Sequence, residues 1–525
     1  MSEYSLFQKL LDYYQISLED YQRLIRPLTY EDIPSPFLFK DMDKAVELVN
    51  KHVSLKHKII VYGDYDADGI TGCSILVKAF LYRNYRINYY IPSRYLDGYG
   101  INTQKAQEII DKGYDLVITV DNGISAFEPI KMLKEAGIDV LVIDHHEPQE
   151  TLPEANVIIH PNVSEYTKSI TSSGAFTAFM FSWAMLGYPD KYLATLASIS
   201  LISDMMPLKE FNRDLLRLTM EGYTHNEFPS IEYLLAGEPF NDTTIGLSIA
   251  PKINAIGRVD KTTNINRLIK YFTIDDKDEI IPYKNWMISL NEIRKEKTKQ
   301  SKEEIIDNLE GYQGKALVIK VDLEEGLLGL VANSLMNQLK IPVIVLTIDS
   351  NNPSLLKGSA RSIDGFNLAN SFIALSSYLE AFGGHALAAG LTLKSENFEA
   401  FKKAFNELVE KTELTPTLEK YIDIGINDLN EDNYLLIQSF SPFGEEWKKP
   451  LLKLRHIKVS ELMYSNNRMN IITTIGRNTR LVGFGMSQEK MNQYHYIDLY
   501  GNLRISEFMG RRYIEFLINK IEESK

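Results

Sequence analysis

The stretch "KIIVYGDYDADGITGCSIL" (58–76) places three aspartates between two apolar runs. The first run ends in a glycine and predicts a buried strand, and the run after Gly69 predicts a helix. Asp64, Asp66 and Asp68 stand at alternate positions in the turn between them. Three carboxylates this close repel one another, so a fold that keeps them must neutralise their charge.

Apolar runs of the same kind recur through the first half and alternate with helical stretches. They are "RINYYIP" (86–92), "YDLVITVD" (114–121), "DVLVIDHH" (139–146) and "NVIIHP" (156–161). Continuous apolar strands between helices are typical of a parallel sheet that is covered on both faces. We therefore predict a doubly wound α/β domain.

The second half predicts two further folding units. A charged helical stretch, "NEIRKEKTKQSKEEIIDNL" (291–309), leads into the strands "KALVIKV" (315–321) and "IPVIVLTI" (341–348) of a smaller α/β domain. After a linker at 409–420, several short strands such as "RRYIEFLINKI" (511–521) indicate a small β-barrel or sandwich.

These patterns give a set of predicted boundaries. They are an N-terminal helical region (1–50), the first α/β domain (51–290), a connecting helix (291–312), the second α/β domain (313–410) and a C-terminal β-barrel (415–525).

The totals fit a globular protein of about two to four domains. The 525 residues are 44% hydrophobic and 24% charged. A single cysteine, Cys73, excludes a disulfide framework and a cysteine-based metal site within one chain. The first residues lack the pattern of a signal peptide, and the most apolar window, "AFTAFMFSWAML" (175–186), is too short to span a membrane. We expect a cytoplasmic protein with no membrane partner.

The charge is distributed unevenly along the chain. The net charge is −13, but Trp447–Lys525 carries 14 Lys and Arg against 7 Asp and Glu, a local charge of +7. A basic C-terminal module on an acidic body indicates a polyanionic partner such as a nucleic acid.

Acids and histidines follow the predicted strands where the chain leaves them. Asp121 ends "LVITVD", and Asp144, His145 and His146 end "VLVIDHH". Ligands bind outside the carboxyl ends of parallel strands, so we expect these groups to converge with the three-aspartate turn. Asp204, which ends the apolar run "SISLISD", could reach the same cleft.

This convergence predicts a metal centre. Taken alone, each aspartate after a strand would be an ordinary helix N-cap. Together the carboxylates would repel one another unless divalent cations neutralised them, and imidazole ligands shift the preference from magnesium toward manganese. The ligands suffice for two cations, the usual clamp for in-line displacement at phosphorus.

Four ordered segments resemble the motifs of the DHH phosphoesterase superfamily. They are "GDYDADGIT" (63–71), "VDNGIS" (120–125), "DHHEP" (144–148) and "SDMMPL" (203–208). The match is closest to the RecJ branch of single-strand-specific exonucleases, because related nucleotide phosphatases carry a histidine and "NPDGD" in the first motif. Three later segments are similar to the DHHA1 domain and to another RecJ segment: "GSARS" (358–362), "FGGHALAAG" (382–390) and "INAIGR" (253–258).

The resemblance implies a ligand set for two divalent cations, Mn²⁺ or Mg²⁺. Asp66 would hold one ion and Asp68 the other, with Asp121 bridging them. His145 and Asp204 would complete the second ion.

The resemblance also implies roles around these ligands. Asp64 would contribute to the first ion or orient its water, and Asp144 and His146 would act from beside the ligands or facing the phosphate. A water activated by the cations would attack. The residues implied to bind the DNA backbone and its 5′ end are Arg94, Arg258, Ser359, Arg361 and His385.

The C-terminal module resembles the OB-type domain of this branch. Its basic charge and its aromatic residues suit a groove in which bases stack, although about half of these rings should lie in the core. They are Tyr464, Phe484, Tyr494, Tyr496, Tyr500 and Tyr513. Two segments depart from the family pattern. "DLEEGLLGLVAN" (322–333) has Glu324 and Glu325 near a position that often holds histidine or tryptophan, and "PFGEEWKKP" (442–450) replaces "PFGxGNPxP".

The resemblance implies a metal-dependent 5′-to-3′ exonuclease that degrades single-stranded DNA to mononucleotides in recombination and repair. A helicase and a single-strand-binding protein are the expected partners, and the expected state is a monomer. Two alternatives stay open. One is a DHH phosphodiesterase for short oligonucleotides or small nucleotides, which would not need the basic module. The other is a catalytically silent replication scaffold, although such relatives typically lose metal ligands and here every motif acid is present.

Overall fold

The structure is a computed structural model that describes residues 5–163, 171–259, 264–309, 312–412, 420–508 and 510–524. The chain divides into two compact units. The larger unit is Ile33–Thr417, and the terminal unit combines Met1–Asp32 with Leu418–Lys525.

The elements are numbered in chain order. The helices are α1 (Leu6–Tyr14), α2 (Leu18–Ile25), α3 (Met42–Ser54), α4 (Ala67–Tyr82), α5 (Thr103–Asp111), α6 (Phe127–Glu135), α7 (Gly174–Leu186), α8 (Lys191–Ser203), α9 (Glu210–Gly222), α10 (Pro229–Leu235), α11 (Asp242–Thr244), α12 (Ala250–Val259), α13 (Arg267–Thr273), α14 (Lys277–Asp307), α15 (Leu328–Leu339), α16 (Leu368–Ala374), α17 (Phe398–Lys411), α18 (Glu431–Gln438) and α19 (Gln488–Met491). The strands are β1 (Ile59–Tyr62), β2 (Asn88–Tyr90), β3 (Leu116–Val120), β4 (Asp139–Ile143), β5 (Val157–Ile159), β6 (Leu317–Lys320), β7 (Val343–Ile348), β8 (Leu355–Arg361), β9 (Ala381–Gly384), β10 (Ala388–Lys394), β11 (Tyr421–Ile424), β12 (Leu451–Lys458), β13 (Ile471–Ile475), β14 (Thr479–Gly483), β15 (Tyr496–Phe508) and β16 (Arg511–Glu523).

The first sheet is parallel throughout, with strand order β2-β1-β3-β4-β5. Its strands are the apolar runs predicted from the sequence, and β1, β3 and β4 are almost entirely buried. Helices α5 and α6 cover one face, and α4 and α7 pack on the other. The predicted doubly wound α/β domain is confirmed.

The region between the first two sheets is helical and ends in the long helix α14, which contains the predicted helical stretch from 291 onward. This helix begins at Lys277 rather than at the predicted 291. The reason is a local cap: the Asp276 side chain accepts hydrogen bonds from the backbone N–H groups of Asp278 (2.8 Å) and Glu279 (3.1 Å).

The second sheet, of strand order β6-β7-β8-β10-β9, is mixed. Strands β6 and β7 are parallel, and the remaining neighbours are antiparallel. Helix α15 packs against β7 and β8. The sheet confirms the predicted smaller α/β domain.

The N-terminal residues do not form a region of their own. Helix α1 buries Leu10 and Leu11 in the core of the C-terminal strands, whereas α3 packs against α7 and β5 in the larger unit. The predicted helical region 1–50 is therefore divided between the two units, because each helix buries an apolar face in a different core.

The third sheet has strand order β11-β12-β15-β16-β14-β13, with β11 and β13 at its edges among the described residues. It confirms the predicted β-rich C-terminal domain and adds β11 and β12, which the sequence did not single out. Of the predicted linker at 409–420, residues 409–411 end α17, and 413–419 lie outside the described residues. Within the part of the chain that the structure describes, none of the helices combines the length and apolarity needed to cross a membrane.

Candidate functional site

The three-aspartate turn is built by hydrogen bonds at the start of α4. Asp66 caps this helix, and its Oδ1 accepts from the N–H groups of Asp68 (3.0 Å) and Gly69 (3.1 Å). Gly69 is required for the tight turn, because an added Cβ would lie 2.5 Å from the backbone nitrogen of Asp64. The N–H of Ala67 donates to Asn254 Oδ1 (2.8 Å), which ties the turn to α12. Asp66 is thus an N-cap, as the simpler interpretation predicts, and still faces the other acids.

Asp68 is buried and is held in place by three donors. Its carboxylate accepts from the N–H groups of Gly174 (2.8 Å) and Ala175 (2.7 Å) and from the Ser200 hydroxyl (2.5 Å). The two amides belong to the start of α7, where a negative charge is favoured. Asp68 is therefore fixed before any ligand arrives.

Asp121 and His145 meet at the carboxyl ends of β3 and β4. His145 Nε2 lies 3.1 Å from Asp121 Oδ1, 3.4 Å from Asp68 Oδ2 and 3.5 Å from Asp204 Oδ2. Asp121 adopts a left-handed backbone with φ of 60°, which is uncommon for a residue with a Cβ. Asp204 follows α8 and reaches the same point.

Asp144 organises the two histidines. Its Oδ1 accepts from the backbone N–H of His145 (2.7 Å) and lies 2.8 Å from Nδ1 of His146. Burial alone would raise the pKa of Asp144, but the hydrogen bond and charge of His146 lower it to about 2. Burial would lower the pKa of His146, yet Asp144 raises it to about 9. The contact with Asp144 therefore holds His146 in place and leaves its imidazole 43% exposed on the outer side.

The converging side chains, which we call the carboxylate cleft, form three groups in which the potential ligand atoms lie within 4.8 Å of one another. The groups are Asp64, Asp66 and Asp121; Asp68, His145 and Asp204; and Asp121, His145 and His146. Asp121 and His145 each belong to two groups, so neighbouring cation positions would share ligands.

The electrostatics of the cleft fit a cation. Burial and then the charge of Asp66 raise the pKa of Asp64 well above its usual value, and burial followed by Asp68 raises that of Asp204 to about 8. Burial and the neighbouring aspartates also raise the pKa of Asp121. Asp64 Oδ1 and Asp204 Oδ2 are buried and have no hydrogen-bond partner among the described residues. Carboxylate oxygens and imidazole nitrogens of this kind are suitable ligands for divalent cations.

A second cluster is positively charged. A cavity of about 610 Å³ lies against β8 and β10 of the second sheet, and its lining includes Arg94, Arg258, Ser359 and Arg361. We call it the arginine cavity. Burial and then the charge of Arg94 lower the pKa of Arg258 to about 10, and burial lowers that of Arg361. Crowded, buried guanidinium groups of this kind suit the paired oxygens of a phosphate.

The two α/β domains meet at this cavity. The Tyr95 hydroxyl donates to the backbone carbonyl of Arg258 (2.5 Å) and accepts from the N–H of Gly326 (3.3 Å). Gly326 permits the approach, because an added Cβ would lie 2.6 Å from Arg258 Cα. The Arg94 guanidinium lies 4.2 Å from the ring centroid of Tyr65, which stands between Asp64 and Asp66. The arginine cavity therefore adjoins the carboxylate cleft.

The structure brings together most, but not all, of the predicted site residues. The predicted acids and histidines share the cleft, and four predicted phosphate ligands line the cavity. His385 is exposed at the turn between β9 and β10 and does not line the cavity. Sequence reasoning missed Ser200, although it lies one helical turn before Asp204, and Lys357, which alternates with Ser359 along β8.

The aromatic residues of the terminal unit differ in their exposure to solvent. Tyr500 and Tyr513 are buried, whereas Phe484 is 62% exposed and Tyr496 is 39% exposed. Tyr464, Tyr494 and Tyr496 line a cavity of about 390 Å³ together with Lys458.

Comparison with known families assigns all three domains. The chain matches the DHH family, N-terminal domain, over 58–203, the DHHA1 domain over 313–411 and the RecJ OB domain over 422–520. The single-stranded-DNA-specific exonuclease RecJ of Bacillus subtilis is 32% identical over 507 residues, which cover 93% of this chain and 64% of that protein. RecJ of Haemophilus influenzae is 28% identical, over 94% of this chain and 92% of that protein.

Solved structures show the same architecture. RecJ from Thermus thermophilus in complex with Mn²⁺ superposes with a TM-score of 0.82 at 22% identity, over 100% of this chain and 79% of that chain. A manganese-bound exonuclease RecJ gives a TM-score of 0.62 at 27% identity, over 74% of this chain and 97% of that chain. The first likeness shows a common fold, and the matches show that the chain contains DHH, DHHA1 and RecJ OB domains and is similar to RecJ exonucleases over more than nine-tenths of its length.

Proposed function

We propose that this protein is a metal-dependent exonuclease that hydrolyses single-stranded DNA from its 5′ end to mononucleotides. One observation carries the proposal: the carboxylate cleft adjoins the arginine cavity at Tyr65 and Arg94. The first cluster suits cations and the second suits phosphate oxygens, so a phosphodiester can be held by both at once. The RecJ relatives, which are named as single-stranded-DNA-specific exonucleases, support the substrate class.

The cleft would hold two divalent cations, Mn²⁺ or Mg²⁺. Asp64, Asp66 and Asp121 would form one position, and Asp68, His145 and Asp204 the other, with Asp121 between them. When bound, the cations would lower the pKa of a water molecule and neutralise charge that develops on the phosphate.

The protein groups around the cations would orient the reaction. Asp144 holds both histidines through its hydrogen bonds, and the cationic, partly exposed His146 would face the phosphate. Asp121, His145, His146 and Asp144 are thus the residues to which we assign catalysis.

The arginine cavity would hold the 5′-terminal phosphate and limit the enzyme to single strands. Arg94, Arg258, Ser359 and Arg361 supply its polar groups, and His385 remains a predicted contact at the exposed turn. A cavity of about 610 Å³ can take a nucleotide but not a double helix.

The terminal unit would bind the strand by stacking and charge. Its exposed rings, Phe484 and Tyr496, and the excess of Lys and Arg within its segment Trp447–Lys525 fit a sequence-independent single-strand site. We infer a role in recombination and repair in the cytoplasm, as a monomer, with a helicase and a single-strand-binding protein supplying the strand.

A substrate panel tests the proposal. Purified protein with Mn²⁺ is given 5′-labelled single-stranded DNA, the same DNA as a duplex, and a dinucleotide, alongside Asp121→Ala and the control Asp111→Ala. Asp111 ends α5, is exposed and accepts a local hydrogen bond from Gln107 (2.8 Å). We expect rapid label release from the long single strand alone, lost in Asp121→Ala and kept in Asp111→Ala.

Other results would favour the alternatives. Cleavage confined to the dinucleotide would indicate a small-substrate phosphodiesterase. DNA binding without metal-dependent cleavage would indicate a silent scaffold and would falsify the nuclease assignment.

A further inference from the structure

A sharp change of charge occurs at Glu325, which stands at the start of a short 3-10 turn before α15. Glu325 lines the arginine cavity and also lines a second cavity of about 700 Å³. It therefore forms part of the wall between them.

The arginine cavity is positive on its side of this wall. Among its described lining residues are four cations, Arg94, Arg258, Lys357 and Arg361, and a single carboxylate, that of Glu325. Lys357, Ser359 and Arg361 alternate along β8, so the same face of the strand presents all three, with Lys357 and Arg361 about 13 Å apart along it.

At the Lys357 end of this row, two carboxylates outweigh the positive charge of the lysine. Lys357 Nζ lies 3.3 Å from Glu325 Oε2 and 3.3 Å from Asp349 Oδ2, so two carboxylates hold one ammonium group. Glu325 Oε1 also accepts the backbone N–H of Ser350 (3.0 Å), which fixes the carboxylate. The Lys357 end of the cavity thus carries a net negative charge, in contrast to the Arg361 end.

The second cavity continues the negative charge. Of the described residues that line it, five are acidic, Glu304, Asp322, Glu324, Glu325 and Asp349, and Lys297 is the basic one. Lys297 is itself paired with Glu324. A phosphate chain that extended past Glu325 would meet repulsion rather than counter-charge.

We propose that Glu325 is a specificity-determining residue that limits the arginine cavity to one terminal phosphate. The enzyme would then use 5′-monophosphate ends and reject ends that carry additional phosphates. This inference rests on the proposed function, because it assumes that the arginine cavity holds the 5′ end. It also gives a role to Glu325, one of the two glutamates in the segment that departs from the family pattern.

The test compares two forms of one short single-stranded DNA, labelled at its 3′ end and carrying either a 5′-monophosphate or a 5′-triphosphate. The rate of removal of the first nucleotide is measured with Mn²⁺ for the natural protein, Glu325→Gln, Glu325→Asp and Glu324→Gln. Glu324→Gln is a matched control, because it removes the same charge from the adjacent residue, which lines only the second cavity. Melting temperatures confirm that each variant is folded.

We expect the natural protein to prefer the monophosphate end. Glu325→Gln should reduce that preference by about tenfold, because one negative charge is lost, while Glu325→Asp and Glu324→Gln keep it. Equal rates on the two ends in the natural protein, or the same preference in folded Glu325→Gln as in Glu324→Gln, would overturn the inference. No cleavage of the monophosphate substrate by the natural protein would instead overturn the proposed function.

Discussion

The carboxylate cleft and the arginine cavity both concentrate buried charge, and the two charges are of opposite sign. In the cleft, burial and neighbouring aspartates raise the pKa values of Asp64, Asp121 and Asp204. In the cavity, burial and a neighbouring guanidinium lower the pKa of Arg258. Each cluster holds like charges in a partly buried space, so each needs a counter-charge from a bound ion or substrate.

The difference between them lies in how each would be completed. Small cations suit the buried oxygens Asp64 Oδ1 and Asp204 Oδ2, which accept no hydrogen bond from the part of the chain that the structure describes. The arginine cavity is larger, about 610 Å³, and can admit a phosphate that remains attached to a chain. One substrate phosphodiester with its cations would neutralise the charge of both clusters. Substitutions in the cleft should therefore mainly lower the cleavage rate, and substitutions in the cavity should mainly raise KM.

The largest expected effect comes from two single-atom changes in the cleft, Asp68→Asn and Asp204→Asn. Both should lower Mn²⁺-dependent cleavage by about 10²- to 10³-fold, because each removes a ligand charge. Their stabilities should differ. Asp68 accepts three hydrogen bonds, whereas Asp204 Oδ2 accepts none from the described residues. In EDTA, Asp68→Asn should lose about 2 kcal/mol of unfolding free energy and Asp204→Asn should lose none.

Melting curves in EDTA and initial rates with Mn²⁺ measure both quantities. Asp111→Asn serves as the control for loss of an exposed carboxylate. Equal destabilisation by the two cleft variants would contradict this prediction. It would show that the Asp204 carboxylate stabilises the fold rather than being repelled by the neighbouring aspartates.

The sequence predicts the cleft more completely than the cavity. Asp121 and the pair His145 and His146 follow apolar strands directly, so their convergence follows from parallel topology alone. The cavity depends on the pairing of β8 with β10 and on the approach of Gly326 to Arg258, contacts between distant residues that leave no local pattern. The resemblance supplied Arg94 and Arg361, but not Lys357 or its two carboxylates.

The terminal unit shows the same limit. The basic charge and the β pattern of the C-terminal segment are local properties and were predicted. That Leu10 and Leu11 of α1 complete its core was not, because an amphipathic helix does not specify the surface on which it packs. Deleting only the C-terminal segment would therefore expose the apolar face of α1.

An intermediate effect should follow from Arg361→Met, which keeps much of the side-chain volume and removes the charge. Arg361 is held by Nη1, which donates to Ser359 Oγ (3.0 Å) and to the carbonyl of Ala360 (2.8 Å). We expect KM for 5′-phosphorylated single-stranded DNA to rise by about 10- to 100-fold, because a charge-assisted phosphate contact is lost.

The comparison substrate is the same strand with a 5′-hydroxyl, for which the rise should be smaller. Arg86→Met, at an exposed position outside the cavity lining, controls for general loss of positive charge. A change in kcat with an unaltered KM would place Arg361 with the cleft rather than with the cavity and would remove the distinction between them.

The smallest effect is expected from Gly329→Ala, which alters the position of a cavity group without altering any charge. An added Cβ would lie 2.9 Å from Arg361 Nη2 and 3.1 Å from Ser359 Oγ, so the guanidinium must shift by a few tenths of an ångström. We expect KM to rise by about 3- to 5-fold, since catalysis is sensitive to small displacements of binding groups. Because Gly329 lies in α15, alanine should also raise the melting temperature. Gly222→Ala, whose Cβ would lie 3.8 Å from Lys191 Cε, is the matched helical control and should leave KM unchanged. A raised KM together with a higher melting temperature would show that the effect comes from displacement of Arg361 and not from loss of the fold. An unaltered KM in Gly329→Ala would contradict the prediction and show that the cavity tolerates movement of its arginines.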